Sequence, residues 1–189
     1  MTTFVILTII VLVIVTFTRL KKAKHSNNKA HEEVTNIQEM ISEFQENDCL
    51  GKAGEAGTKA KQALKEKDFN EAWRLFNEQK SHYMEHANKC GFSAQDALSL
   101  DSTVHENLAN ILRIEGKHHD AFFNILYWVI ASHHRPIKKH KQKLIAYFNR
   151  CKFKNTTIDD VNNYIEKHGN TLVNVLEIKE QVAKWRATE

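Results

Sequence analysis

From Glu32 onward, apolar residues recur at helical spacing along almost the whole chain. Val34, Ile37, Ile41 and Phe44 fall on one face of a first helix, and Val104, Leu108, Ile111 and Leu112 form a stripe on a later one. Residues 121–130, "AFFNILYWVI", are apolar nearly all round, which predicts a central helix contacted on several sides. Further helices are expected over 138–150, 158–168 and 171–186, the last burying Leu172, Val175, Leu176, Val182 and Trp185. Asp68 with Glu71 and Thr103 with Glu106 have capping-box spacing at helix starts. Ser93 with Asp96 and Thr157 with Asp160 are weaker versions ending in Asp. Gly51, Gly54 and Gly57 lack the Gly-Lys-Ser/Thr ending of a phosphate loop, so they read as small residues that let two helices pack closely.

The pattern differs at the start. "MTTFVILTIIVLVIVTFT" runs eighteen residues without a charge and then meets Arg19, Lys21, Lys22 and Lys24. At about 1.5 Å per residue it spans roughly 27 Å, enough to cross a thin bilayer. It lacks the basic n-region and small-x-small site of a cleaved signal peptide. Positive charge on its C-terminal side alone places the N-terminus outside and the rest in the cytoplasm. The organisation read from these patterns is an anchor at 1–20, a basic juxtamembrane tether at 21–31 and a helical domain at 32–189.

Composition agrees with an all-α chain of 189 residues, since a single proline and six glycines are too few turn residues for an all-β one. Cys49, Cys90 and Cys151 are odd in number and widely spaced, which fits a reducing compartment rather than a disulfide framework.

Two stretches resemble each other. In "LKEKDFNEAWRLF" (64–76) and "RIEGKHHDAFFNI" (113–125), Lys67 falls where Gly116 falls, Glu71 where Asp120 falls, Ala72 where Ala121 falls and Phe76 where Ile125 falls. Ala60 and Ala63 precede one, and Ala109 and Leu112 the other. A helix, a short turn, an acid-Ala pair and a second helix resemble the second half of a tetratricopeptide repeat, over about residues 53–135. The two alanines lie 49 residues apart rather than the 34 of that family, so "HANKCGFSAQDALSLDS" is an insertion or an extra helix between hairpins. The resemblance implies a scaffold that holds a peptide or helix in a concave groove, with no catalysis and no small-molecule substrate. Gly116 suits the left-handed end of a helix, which places His118 and His119 in an exposed turn.

His82, His86 and Cys90 in "HYMEHANKC" step by four along one helical face and are candidate ligands of a metal-sensing helix, with His105 as a possible fourth. If one helix joins them, His118–His119 and His133–His134 lie roughly 20 Å apart, too far to share an ion. No nucleophile elbow, catalytic cysteine signature or nucleotide loop is present, so neither an enzyme nor a cofactor is expected.

Charge is the stronger signal. Residues 133–154 hold eight Lys/Arg and no acid; without them, 19 basic residues of the original 27 face 23 acidic ones. Basic charge is therefore concentrated there, and Arg135, Lys138, Lys139, Lys141 and Lys143 are candidate partner contacts. The expected partner is a protein; anionic lipid or nucleic acid are the alternatives, with Tyr147, Phe148 and Phe153 as candidate stacking residues if they are not core.

Overall fold

The computed structural model describes residues 35–42, 47–172 and 174–187. The anchor and tether expected at 1–31, together with Val34 and Phe44 of the first helical face, lie outside the described residues. Among the described residues no helix is long and apolar enough to cross a membrane. The chain divides into two units, residues 1–48 and 49–189. In the first, residues 35–42 are helical and expose Ile37, Met40 and Ile41.

The second unit is all-α: α1 (Cys49–Lys65), α2 (Phe69–Lys89), α3 (Ala94–Ser102), α4 (His105–Ile114), α5 (His118–Ala131), α6 (Lys138–Cys151), α7 (Ile158–His168) and α8 (Val175–Ala187). Helix α1 packs along α2 mainly through small residues, Cys49, Ala53, Ala56, Gly57, Ala60 and Ala63, with Leu64 partly buried at its end. A Cβ at Gly57 would meet the Gln79 side-chain amide at 2.5 Å, so a larger residue there would have to displace the end of that flexible side chain. Gly54 faces open space.

Three turns share one backbone design, at Lys67, Gly91 and Gly116, and the first and last of them stand at the offset of 49. After α1, Lys67 N–H donates to Leu64 O (3.2 Å) and Asp68 N–H to Ala63 O (2.9 Å). After α4, Gly116 N–H donates to Arg113 O (3.2 Å) and Lys117 N–H to Leu112 O (2.8 Å). This is the Schellman closure, which needs a left-handed residue at its centre, and Lys67 (φ 65°) and Gly116 (φ 77°) supply it. Ala60 with Ala109, Ala72 with Ala121 and Phe76 with Ile125 are all fully buried. A Cβ in the left-handed region costs about 1–2 kcal/mol, partly offset by the greater freedom glycine has when unfolded. Lys67 is exposed, so Lys67→Gly should stabilise the domain by about 0.5–1 kcal/mol, read from its urea midpoint. A lowered midpoint would mean the lysine side chain contributes a contact that outweighs the strain.

The segment that would match α1 in the second hairpin is broken. Helix α3 ends at Ser102, where Thr103 Oγ1 donates to Leu100 O (2.7 Å), and α4 restarts one residue past Val104. Thr103 therefore closes a helix rather than opening one, and the capping box expected with Glu106 does not form. Of the other starts, Ser93 accepts from Asp96 N, and Thr157 with Asp160 closes a full reciprocal box. Asp68 accepts from Glu71 N, but Glu71 turns to Arg74 because the Asp68 N–H is already taken by Ala63 O.

Helix α5 is central, as its composition predicts, and packs against α3, α4, α6, α7 and α8. Phe122, Ile125, Leu126 and Ile130 are at most 1% exposed. Around Phe122 stand the rings of Phe148, Phe153 and Trp185. Tyr147 is buried and Phe148 and Phe153 pack on the same core, so these three aromatics face inward. The α8 face differs from expectation. Ile178, Val182 and Trp185 are buried, whereas Leu172, Val175 and Leu176 are exposed. The helix begins only at Val175, after the Asn174 side chain accepts from Leu176 N (3.0 Å), so Ile178 is its first residue to reach the core. His118 and His119 open α5 and are half-buried, with His119 edge-on to Phe153 (5.2 Å) and His118 O accepting from Cys151 Sγ; they are not in an exposed turn.

Candidate partner groove and buried polar network

A trough runs between α3, the end of α5 and the loop into α6. One part, about 460 Å³, is lined by Phe92, Asp96, Ser99, Leu100, Thr103 and Arg135. The adjoining part, about 350 Å³, shares Ser99, Thr103 and Arg135 and adds Trp128, Ile137, Lys139 and Glu106 among others. Phe92 and Ile137 expose 42% and 51% of their surface, so the trough presents apolar side chains to solvent within a charged rim. Local folding explains both. Gly91 takes a left-handed turn (φ 64°) that ends α2 and turns out Phe92. Pro136 lacks an N–H and stands in the loop before α6, next to Ile137.

The rim is where most of the predicted basic contacts are found. Arg135 pairs with Asp96 (2.7 Å), while Lys139 and Lys143 both reach Glu106 (2.7 and 3.3 Å). Asp96 is held below the usual carboxylate range by the Ser93 hydroxyl hydrogen bond and then by the charge of Arg135. Lys138 and Lys141 are exposed and have no ion pair among the described residues. The five candidates thus separate into three tied to the trough wall and two that point elsewhere. Beneath the rim His140 is edge-on to Trp128 (4.4 Å), and burial pushes its imidazole below the ordinary value.

Behind α3 lies a polar cluster that residue spacing did not reveal. Tyr127 O–H donates to Asp101 Oδ2 (2.7 Å), and Lys80 Nζ stands 3.3 Å from Asp101 Oδ1. Asn124 donates its amide N–H to Asp120 O (2.8 Å), which turns its Oδ1 toward His105, so His105 Nδ1 is the donor across that 2.8 Å contact. His105 Nε2 then lies between Lys80 Nζ (3.3 Å) and Asp101 Oδ2 (3.6 Å). It accepts from the ammonium when neutral and donates to the carboxylate when protonated. Burial alone would raise the Asp101 carboxyl; the hydrogen bonds of His105 and Tyr127 and the charge of Lys80 bring it below the ordinary value instead. Burial, followed by the Asp101 charge, pushes the Tyr127 phenol up. The cluster joins α2, α3, α4 and α5 between two apolar cores, one around Phe76 and one around Phe122. Its groups satisfy one another, and such a network fixes how helices meet.

The candidate metal ligands do not converge. His86 has both ring nitrogens 3.7 Å from Cys90 Sγ and its ring edge-on to Phe92, while His82 turns to Glu85 (3.8 Å). His105 is committed to the buried network, and no group of three such side chains able to hold an ion is found among the described residues. A second groove, about 630 Å³, follows the outer side of the α1–α2 hairpin and is lined mainly by charged side chains. The pairs Lys59–Glu55, Arg74–Glu71 and Arg74–Glu78 run along it.

Phe92, Leu100, Trp128 and Ile137 were not singled out from the sequence. The available signal was an apolar residue standing alone in each of two polar turns, "CGFS" and "RPIK". No family model, curated protein or solved structure matches this chain.

Proposed function

We propose that this protein is a scaffold, a tetratricopeptide-like helical domain that holds a protein partner at a membrane and performs no catalysis of its own. The observation that carries the reading is the repeated hairpin turn, the same closure at Lys67 and Gly116 with the same buried alanines on either side. Hairpins of this kind stack into surfaces that bind segments of other proteins. The membrane part of the reading rests on the apolar residues 1–18 and the basic cluster after them, which put the helical domain on the cytoplasmic side. The trough beside Arg135 and Lys139 is the seat assigned to the partner, because its exposed Phe92 and Ile137 are anchors of the kind that dominate interfaces.

Affinity capture from gently solubilised membranes tests this. The intact chain should retain a near-stoichiometric protein, and the Phe92→Asp/Ile137→Asp variant should lose it. Both residues lie outside the helices and are exposed, so the variant should keep its helical circular dichroism. If only nucleic acid or lipid follows the native chain, the scaffold reading falls. Base stacking by the 133–154 segment has little support, because Tyr147, Phe148 and Phe153 are built into the core.

A further inference from the structure

Lys138 and Lys141, the two cations that take no part in the trough, lie on one stripe of α6. At about 100° per residue, Lys138, Lys141, Gln142, Ile145 and Asn149 fall within roughly a third of the helix circumference, and all five are exposed. The opposite side of α6 carries Leu144, Tyr147 and Cys151 into the core. The helix has no acid in its first turn and no side-chain cap, so its positive dipole end adds to the lysines rather than opposing them. Lys152, in the left-handed conformation that ends the helix, is exposed at the far end. No acid occurs anywhere from 133 to 154.

We infer that this stripe of α6 rests on an anionic lipid surface. Its charge is complementary to acidic headgroups, and Ile145 (38% exposed) gives it an apolar residue between cations, as in helices that lie in the interfacial plane. Nucleic acid fits less well, since the stripe offers no aromatic ring for a base. A groove-bound protein segment also fits less well, since this face is a convex helix surface and the trough lies elsewhere. Each lysine near an acidic bilayer raises partitioning roughly fivefold, so two or three are weak alone. A membrane anchor on the same chain makes the contact intramolecular, where weak contacts become occupied. The inference rests on the membrane part of the proposed function.

The test uses the full chain with Gln142→Cys and Cys90→Ser, labelled at position 142 with an environment-sensitive fluorophore; Cys49 and Cys151 are buried. It is mixed with phosphatidylcholine vesicles, with or without a minority of phosphatidylserine, both carrying a lipid-bound quencher. Quenching is expected in the anionic vesicles only. It should disappear in Lys138→Glu/Lys141→Glu and at about 1 M salt, where the Debye length falls to about 3 Å. Equal quenching in both vesicle types, or none in the anionic ones, overturns the inference. Flotation with neutral vesicles reads the anchor separately, and partner capture reads the scaffold without anionic lipid. A chain that floats only with anionic vesicles loses the anchor, and the intramolecular contact inferred here falls with it.

Discussion

Asp101→Ala is expected to lower the unfolding free energy by about 3 kcal/mol, the usual cost of removing one member of a buried, hydrogen-bonded charge cluster. Tyr127 O–H loses its acceptor in a site 1% exposed, and Lys80 loses its counter-charge and is left facing His105. Lys80 is about one-third exposed, so water recovers part of its share. Asp101→Asn keeps an acceptor for Tyr127 and should cost less. The two variants also differ from the native chain in acid. Because the folded carboxyl lies below its unfolded value of about 3.9, its contribution is complete above that pH and is lost as pH falls through the folded value. Native stability should therefore drop more steeply below about pH 4 than that of Asp101→Asn. Urea unfolding across that range measures both effects, and a loss below about 1 kcal/mol in Asp101→Ala would show that the network contributes little.

Phe122→Ala should be costlier still, at about 4 kcal/mol and a fall of roughly 10 °C in Tm. Phe122 is 0% exposed and stands at the centre of a ring cluster: Phe148 of α6, Phe153 beyond it and Trp185 of α8 all pack on its ring. These neighbours are themselves large rings that cannot collapse into the space without leaving their own contacts. Differential scanning calorimetry would decide; a Tm shift of a few degrees would mean the cluster repacks. A weakened near-ultraviolet signal with unchanged far-ultraviolet helicity would localise the damage to this core.

Helix content was legible because it rests on periodicity, which each segment carries by itself. The extents expected at 138–150 and 158–168 match α6 and α7 closely, and the all-round apolar run at 121–130 becomes the central helix. The α8 face was misread because Leu172 precedes the helix and does not share its period, while Val175 and Leu176 lie in its first turn, before Ile178 reaches the core. The break at Thr103 was hidden by a capping-box spacing that pointed the other way; two helices meeting within three residues is a tertiary outcome. The candidate site was less legible than the fold. Charge clustering singled out Arg135, Lys139 and Lys143 as candidates, but the acceptors they pair with, Asp96 and Glu106, lie far back in the chain and no spacing connects them. The buried network draws single residues from four helices. Its one local trace was Asn124, the only amide in an otherwise apolar run, and a lone polar group there requires a partner.

The alanine packing of α1 has a consequence for cooperativity. A helix attached through Cys49, Ala53, Ala56, Ala60 and Ala63 removes little apolar surface from water per residue, whereas α5 is attached through phenylalanine, isoleucine and leucine. By that measure α1 is held less strongly than the central helix. Amides of α1 should exchange with solvent through a local opening that leaves α5 protected. Such an opening detaches one helix and uncovers the α2 side chains it had covered, Ala72, Leu75 and Phe76, as a transient apolar surface.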